Sequence, residues 1–338
     1  MRSGRKQHPM LNDCHIDDVN FMVSLFCPGK CLHCGIWKEK KADITRNELD
    51  PALISAALKS EALKHAFYFD LTAGESQLSP RYADIVTRIA EAKPEAFIHT
   101  NISGWYPNVH FDVTRQCLKK VAPDRFRLDI SLDGRPENYA RIRLVPGGWD
   151  KVMKTVELLR PLGCILRFVF IVHPENKGDI RWIVDKAGEL GIDYYIGYSR
   201  RSALLRNTEE PDLRFTQQDL EHIERTLTEV GWLTERRQNH WYWAKSAYQK
   251  NPASFDCLMG RRALVVDPYG GVFPCNELLP DLQMGSLVEF DGDLDGLLAS
   301  PAAQRVLRRI ADRKCQPCDM LCAHKIQFDW SKPESAVL

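Results

Sequence analysis

Cys27, Cys31 and Cys34, in the stretch LFCPGKCLHCGIW, place three thiols at Cys-x3-Cys-x2-Cys spacing. Three thiolates can hold three irons of a 4Fe-4S cluster, whereas a cluster kept for structure or electron storage normally takes four. The fourth iron is then open to a second molecule. Zinc is the competing reading. A structural zinc site closes with four ligands, however, and His33 is adjacent to Cys34, where the two side chains can hardly reach one tetrahedral ion together with the other thiols.

Five more cysteines form a second field near the C-terminus. Cys257 precedes and Cys275 ends a segment containing ALVVDPYGGVFPC, which reads as a strand, a Pro-Tyr-Gly-Gly turn and a returning strand. After a helix in SPAAQRVLRRI come Cys315, Cys318 and Cys322. Four thiolates suit one further 4Fe-4S cluster, with Cys322 as a replacement ligand or a spare. A zinc ribbon stays open, since four cysteines on a hairpin and a knuckle are zinc donors too. Cys14, Cys117 and Cys164 fall outside both groups and read as ordinary thiols. An odd total of 11, mostly in tight groups, argues for metal binding in a reducing compartment and against a secreted disulfide framework.

These residues need a scaffold that presents them together. Between about residues 19 and 198, short runs rich in β-branched and aromatic residues alternate with longer amphipathic segments, the βα signature of a parallel sheet. The expected strands are VNFMVSLF (19–26), AFYFDLT (66–72), AFIHTN (96–101), RFRLDISLD (125–133), ILRFVFIV (165–172) and DYYIGYS (193–199). Helices are expected in PALISAALKSEALKH, PRYADIVTRIAEAK and WDKVMKTVELLRPL, where apolar positions recur at three and four. Six such units make an α/β fold, a partial (β/α)6 TIM-like barrel, followed by a small C-terminal hairpin and helix. The expected division is a terminal segment (1–18), the partial barrel (19–215), a helical bridge (216–252) opening on Thr216 as N-cap, and an auxiliary domain (253–338). Aromatics in HWYWAKSAY (240–248) read as packing at the junction, with a substrate wall as the lesser reading. In parallel α/β folds the loops after the strand C-termini share one face, and the cysteine triplet follows the first strand directly.

The triplet's spacing and placement resemble the radical S-adenosylmethionine superfamily, and the second field resembles the SPASM or shorter twitch auxiliary domains of that family. The resemblance implies a 4Fe-4S cluster with an open iron site, bound S-adenosylmethionine, and one auxiliary 4Fe-4S cluster on Cys257, Cys275, Cys315 and Cys318, with Cys322 as an alternate. It also implies an external electron donor such as flavodoxin or ferredoxin. The reduced cluster would cleave the cofactor to methionine and a 5′-deoxyadenosyl radical, which removes hydrogen from an unactivated carbon. Ala73-Gly74-Glu75 resembles the family's Gly-Gly-Glu turn: the backbone would meet the methionine ammonium, with the acidic side chain offsetting its charge. Ser131, in the SLDG segment, would contact the ribose, with Asp133 an alternative cap for the next helix. Arg143, or Arg141, would meet the methionine carboxylate. Asn101 resembles the Asn of a Thr-Asn-Gly pattern, although Ile102 replaces the glycine. His33 would stack near the adenine, with proton transfer open to it.

Arg200, Arg201 and Arg206 follow the sixth strand, where guanidinium forks suit a phosphate or carboxylate; a solvated loop is the plain alternative. Lys and Arg (46) nearly balance Asp and Glu (45), so there is no bulk field of the kind that draws a protein to nucleic acid or acidic lipid. No apolar run suits a signal peptide or a membrane span, so a cytoplasmic location is expected. Residues 1–18 are too few for a domain that grips a leader peptide. The substrate expected from these features is a small anionic sugar, nucleoside or nucleotide-sugar in natural-product or antibiotic biosynthesis, undergoing oxidation, decarboxylation or carbon-carbon joining. Modification of a peptide or protein is the alternative, and a non-enzymatic zinc-ribbon module is the third reading.

Overall fold

The computed structural model describes residues 15–38, 48–208, 215–248 and 257–315. Six parallel strands carry the N-terminal part: β1 (Asp18–Phe21), β2 (Tyr68–Asp70), β3 (Phe97–Ile102), β4 (Phe126–Ser131), β5 (Ile165–Val172) and β6 (Asp193–Tyr198). Helices α1 (Pro51–Ala57), α2 (Tyr82–Ala92), α3 (Pro107–Cys117), α4 (Pro136–Arg143), α5 (Gly148–Leu159) and α6 (Ile180–Leu190) lie between them in sequence. Each expected strand is present. The first ends early, however: Met22 N still bonds Val266 O, after which Ser24 O and Phe26 O bond the turn at 74–75.

Strand period fixes the two faces of the sheet. Val19, Phe21, Phe69, Ile98, Leu128, Ile130, Phe168 and Phe170 are at most 2% exposed and belong to one continuous core under the helices. The alternate positions, Asn20, Asp70, His99, Asp129 and Arg167, form the concave face. A parallel sheet covered on both sides by apolar core would read as unbroken hydrophobic runs, so polar residues at alternate positions mark a face kept for something else.

The C-terminal hairpin joins the same sheet. Strand β7 (Ala263–Val266) pairs in parallel with β1, then β8 (Gly271–Phe273) and β9 (Gly285–Ser286) follow antiparallel, giving the order β6-β5-β4-β3-β2-β1-β7-β8-β9. The bridge consists of α7 (Gln217–Glu229) and α8 (Glu235–Tyr248). Thr216 caps α7 in a capping box with Asp219. Trp241 is fully buried 5.1 Å from the Tyr198 ring, and the Tyr248 hydroxyl donates to Ser199 O. Trp241 and Tyr248 pack, as expected, whereas Tyr242 in the same stretch is exposed. Helices α9 (Leu294–Ala299) and α10 (Pro301–Ala311) close the described chain, α10 opening on Ser300, whose hydroxyl accepts from Ala303 N. No helix among the described residues is long and apolar enough to cross a membrane.

Candidate active site

The loop carrying the cysteine triplet is gripped from four sides. Gly74 N donates to Ser24 O at 2.9 Å and Glu75 N to Phe26 O at 2.7 Å, tying the loop's start to the turn after β2. Leu32 N donates to Ile142 O in α4, and Gly35 N to Leu205 O in the loop after β6. The Asn207 amide adds a bond to His33 O at 2.8 Å. Two glycines permit this closeness: a Cβ on Gly74 would collide with Leu25 O at 2.7 Å, and one on Gly35 with Arg206 O at 2.5 Å. Behind the loop, the Trp105 ring lies against Gly29 and its indole N–H donates to Tyr139 Oη at 2.6 Å. Neither aromatic stood out in the sequence.

Burial pushes the Cys27 thiol up to about 12, with Glu75 adding to the effect. Cys31 and Cys34 are raised as well, again chiefly by burial, although Arg143 works the other way at both. Cys31 and Cys34 also add to the rise at Cys27, so the three thiols sit within electrostatic reach of one another. Bound as thiolates, the three would hold iron, whose charge would take the place of the protons that burial otherwise retains. Arg143 Nη1 lies 3.6 Å from Cys31 Sγ, and Nε donates to Asp133 at 2.6 Å. Burial disfavours the guanidinium charge, but Asp133, Cys31 and Tyr139 together outweigh it and raise Arg143 further. A permanent buried cation therefore stands beside the triplet. These residues fit a thiolate-bound cluster.

The turn at 73–75 differs from expectation in one respect. Glu75 is 2% exposed and both its oxygens accept from Ser103 N, at 3.2 and 3.1 Å. Its carboxylate therefore fastens the end of β3. Burial raises Glu75 to about 7. Asp133, likewise, is not a helix cap: it is fully buried, accepting from Arg143 and from Ile171 N at 2.8 Å. Arg141 lies on the exposed face of α4, beside Asn138. Ser131 ends β4 half-buried. Asn101 Oδ1 and His33 Nδ1 are buried polar atoms with no hydrogen-bond partner among the described residues. A ligand with hydroxyl and amino groups, as S-adenosylmethionine has, would offer such atoms partners. Burial lowers His33 to about 4, so it is neutral and suited to stacking rather than to carrying a proton.

The expected arginine cluster is reassigned. Arg200 Nη1 pairs with Glu277 Oε1 at 2.6 Å, and the same carboxylate accepts from Ser202 Oγ and Ala203 N. Arg200 Nη1 thus ties the loop after β6 to the loop after Cys275. Arg206 is exposed with its backbone against Gly35, and Arg201 is half-buried.

The missed residues lie on the concave face. Asp129 is 2% exposed and binds His99 Nε2 at 2.9 Å, Arg167 Nε at 2.9 Å and Arg127 Nε at 3.3 Å. Burial works against a charge on His99, but Tyr68, Asp129 and Asp70 outweigh it and raise it to about 9. The signal was present in the strands: YFD, FIHTN, FRLDIS and LRF alternate polar with apolar.

In the second field, Cys257, Cys275 and Cys315 are half-buried thiols, and Cys318 and Cys322 lie outside the described residues. A Cβ on Gly260 would meet Pro274 at 3.1 Å, Leu307 at 2.9 Å and Ile310 at 3.8 Å. The turn after Cys257, the residue before Cys275 and the end of the helix leading to Cys315 therefore meet at one point. That convergence fits a shared cluster. Cys117 and Cys164 are buried thiols, as expected.

A partial barrel with an open cysteine triplet at its mouth and a second cysteine field on its edge defines a radical S-adenosylmethionine enzyme with an auxiliary iron-sulfur domain. The chain belongs to the radical SAM superfamily: residues 21–187 match that family and residues 257–320 match the SPASM iron-sulfur cluster-binding domain. It is similar to a PqqA peptide cyclase of Granulibacter bethesdensis, 24% identical over 90% of this chain and 78% of the relative. Its fold is similar to that of Streptococcus suis SuiB bound to precursor peptide SuiA, with TM-score 0.64 and 15% identity over 88% of this chain and 68% of that one. It is also similar in fold to anSMEcpe with bound AdoMet, with TM-score 0.61 and 13% identity over 89% and 83% of the two chains. The enzyme uses S-adenosylmethionine, a 4Fe-4S cluster and auxiliary iron-sulfur chemistry.

Proposed function

We propose that this enzyme modifies a peptide or protein by radical chemistry, in place of the small anionic sugar or nucleotide that the arginine cluster suggested. The observation that carries this reading is the similarity to a PqqA peptide cyclase across 90% of the chain. The engagement of Arg200 by Glu277 supports it by removing the strongest local argument for an anionic small molecule.

When bound, the cluster and S-adenosylmethionine supply a 5′-deoxyadenosyl radical able to take hydrogen from an unactivated carbon. Cys27, Cys31 and Cys34 would hold the cluster, and Arg143 would face the methionine carboxylate while stabilising the thiolate of Cys31. The Ala73-Gly74 backbone would receive the ammonium. Ser131 and Asn101 would orient the ribose and the remaining polar groups, and neutral His33 would stack on the adenine. Met22, Val265 and Phe273 form an apolar cluster, packed by Ala73, Leu204 and Leu278, that keeps water from this part of the concave side. Cys257, Cys275, Cys315 and one of Cys318 or Cys322 would hold the auxiliary cluster. Reducing equivalents would come from an external flavodoxin or ferredoxin.

Anaerobic incubation with reductant and S-adenosylmethionine, comparing peptides encoded beside the gene with a panel of sugar nucleotides, tests the reading. Formation of 5′-deoxyadenosine rises with a peptide whose mass changes. Stimulation by sugar nucleotides alone refutes the proposal.

A further inference from the structure

The loop that carries the first cysteine field has a side open to solvent. Cys31 is 7% exposed, but Leu32, the next residue, is 41% exposed. Its N–H donates at 2.9 Å to the carbonyl of Ile142 in the last turn of α4, and Leu144, just past that carbonyl, is 49% exposed. Two large apolar side chains therefore meet solvent on adjoining segments beside a cluster ligand. Leu144 is the more telling of the two. It caps α4 at φ 54° and ψ 35°, in the left-handed region where helices ordinarily end on glycine. A leucine there adds backbone strain without burial, so folding alone does not account for it.

The charge around this pair is mainly of one sign. The loop 27–34 and the segment 138–149 hold Lys30, Arg141 and the buried Arg143 and contain no Asp or Glu. Lys30 and Arg141 are exposed; Arg141 has Glu175 at 3.9 Å, and Lys30 pairs with no carboxylate among the described residues. Asp150 follows in the first turn of α5, where the helix N-terminus offsets its charge, and Lys151 is next to it. In a chain whose charges balance, 46 against 45, this is a local basic field.

An apolar spot with a basic rim fits a protein with an acidic face. What lies beneath the spot says which kind. Electron transfer between proteins weakens steeply with distance, and a carrier seated on Leu32 stands one residue from a ligand of the first cluster. Electron-transfer encounters bury less than about 1,200 Å², so a small patch is enough. We propose that Leu32 and Leu144, rimmed by Lys30 and Arg141, form the docking surface for the acidic one-electron carrier protein that reduces the first cluster. In that step the carrier loses one electron and the oxidised cluster gains it, with no bond made or broken. The surface is independent of the peptide reading, because cofactor cleavage without substrate reports on it.

The test uses the iron-loaded enzyme with S-adenosylmethionine, reduced either by flavodoxin hydroquinone, an acidic carrier, or by photoreduced deazariboflavin, a small neutral reductant, with 5′-deoxyadenosine as the readout. Lys30→Glu raises the apparent KM for flavodoxin by about tenfold at low salt and flattens its dependence on ionic strength. Leu144→Gly, in which glycine adopts the left-handed conformation freely, raises that KM by about threefold while the melting temperature holds or rises. Both variants keep the deazariboflavin-driven rate within about twofold. A flavodoxin KM that neither variant changes overturns the surface, as does equal loss with both reductants in Leu144→Gly. Wild-type enzyme that deazariboflavin activates and flavodoxin does not also overturns it. So does a Lys30→Glu enzyme that loses stimulation by peptide at an unchanged flavodoxin KM, which assigns the patch to the substrate.

Discussion

The two cysteine fields are built in opposite ways. Cys27, Cys31 and Cys34 sit on one loop whose backbone is tied by hydrogen bonds to the turn at 74–75, to Ile142 in α4 and to Leu205 and Asn207, so protein contacts give the loop its shape. Cys257, Cys275 and Cys315 lie on three segments that approach one another at Gly260, beside the pairing of β7 with β1. The first field is local and preorganised; the second is a product of tertiary structure. A preorganised loop binds its cluster without refolding, whereas a site assembled from distant segments contributes its metal-binding energy to folding.

Replacing Cys27, Cys31 and Cys34 together by alanine lowers 5′-deoxyadenosine formation by about three orders of magnitude or more, while the chain unfolds at nearly the original urea concentration. Retained cleavage in a chromatographic assay breaks the assignment of the first field. Arg143→Met leaves Asp133 buried without its cation and costs about 3–5 kcal/mol in urea unfolding. A milder loss shows that the grip on the first field lies in its backbone alone.

His99 gives a signature belonging to the barrel and to neither field. Its folded pKa, raised to about 9, lies above the unfolded value near 6.5, so its stabilisation is complete below about pH 6.5 and is lost as pH rises through 9. Unfolding measured from pH 6 to 10 falls by about 2–3 kcal/mol from this group, and His99→Gln flattens that slope. The smallest effect on cofactor cleavage comes from the second field. Cys257→Ala with Cys275→Ala keeps uncoupled cleavage within about threefold but lowers substrate turnover by more than tenfold and lowers the melting temperature. Equal loss of both activities with intact folding removes the division of roles.

Much of this was legible in the sequence because the signals are local. Cysteine spacing, the βα alternation and the Thr216 capping box each depend on a few adjacent residues. What could not be read depends on contacts between distant ones. Nothing near Arg200 announces Glu277, which pairs with it across 77 positions, and nothing near Glu75 announces Ser103 N. Apolar residues beyond Phe21 extend the strand pattern to 26, although Ser24 O and Phe26 O bond the turn at 74–75. The concave row was readable as alternation within each strand, but the ion pairs that link its members required the register that sets neighbouring strands side by side.

Iron, sulfide and zinc counted in anaerobically prepared protein test the central claim, that both fields hold iron-sulfur clusters, most directly. The account predicts about eight irons and about eight sulfides per chain with no stoichiometric zinc. About four irons accompanied by one zinc would contradict it, turning the second field into a zinc ribbon beside a single radical-generating cluster.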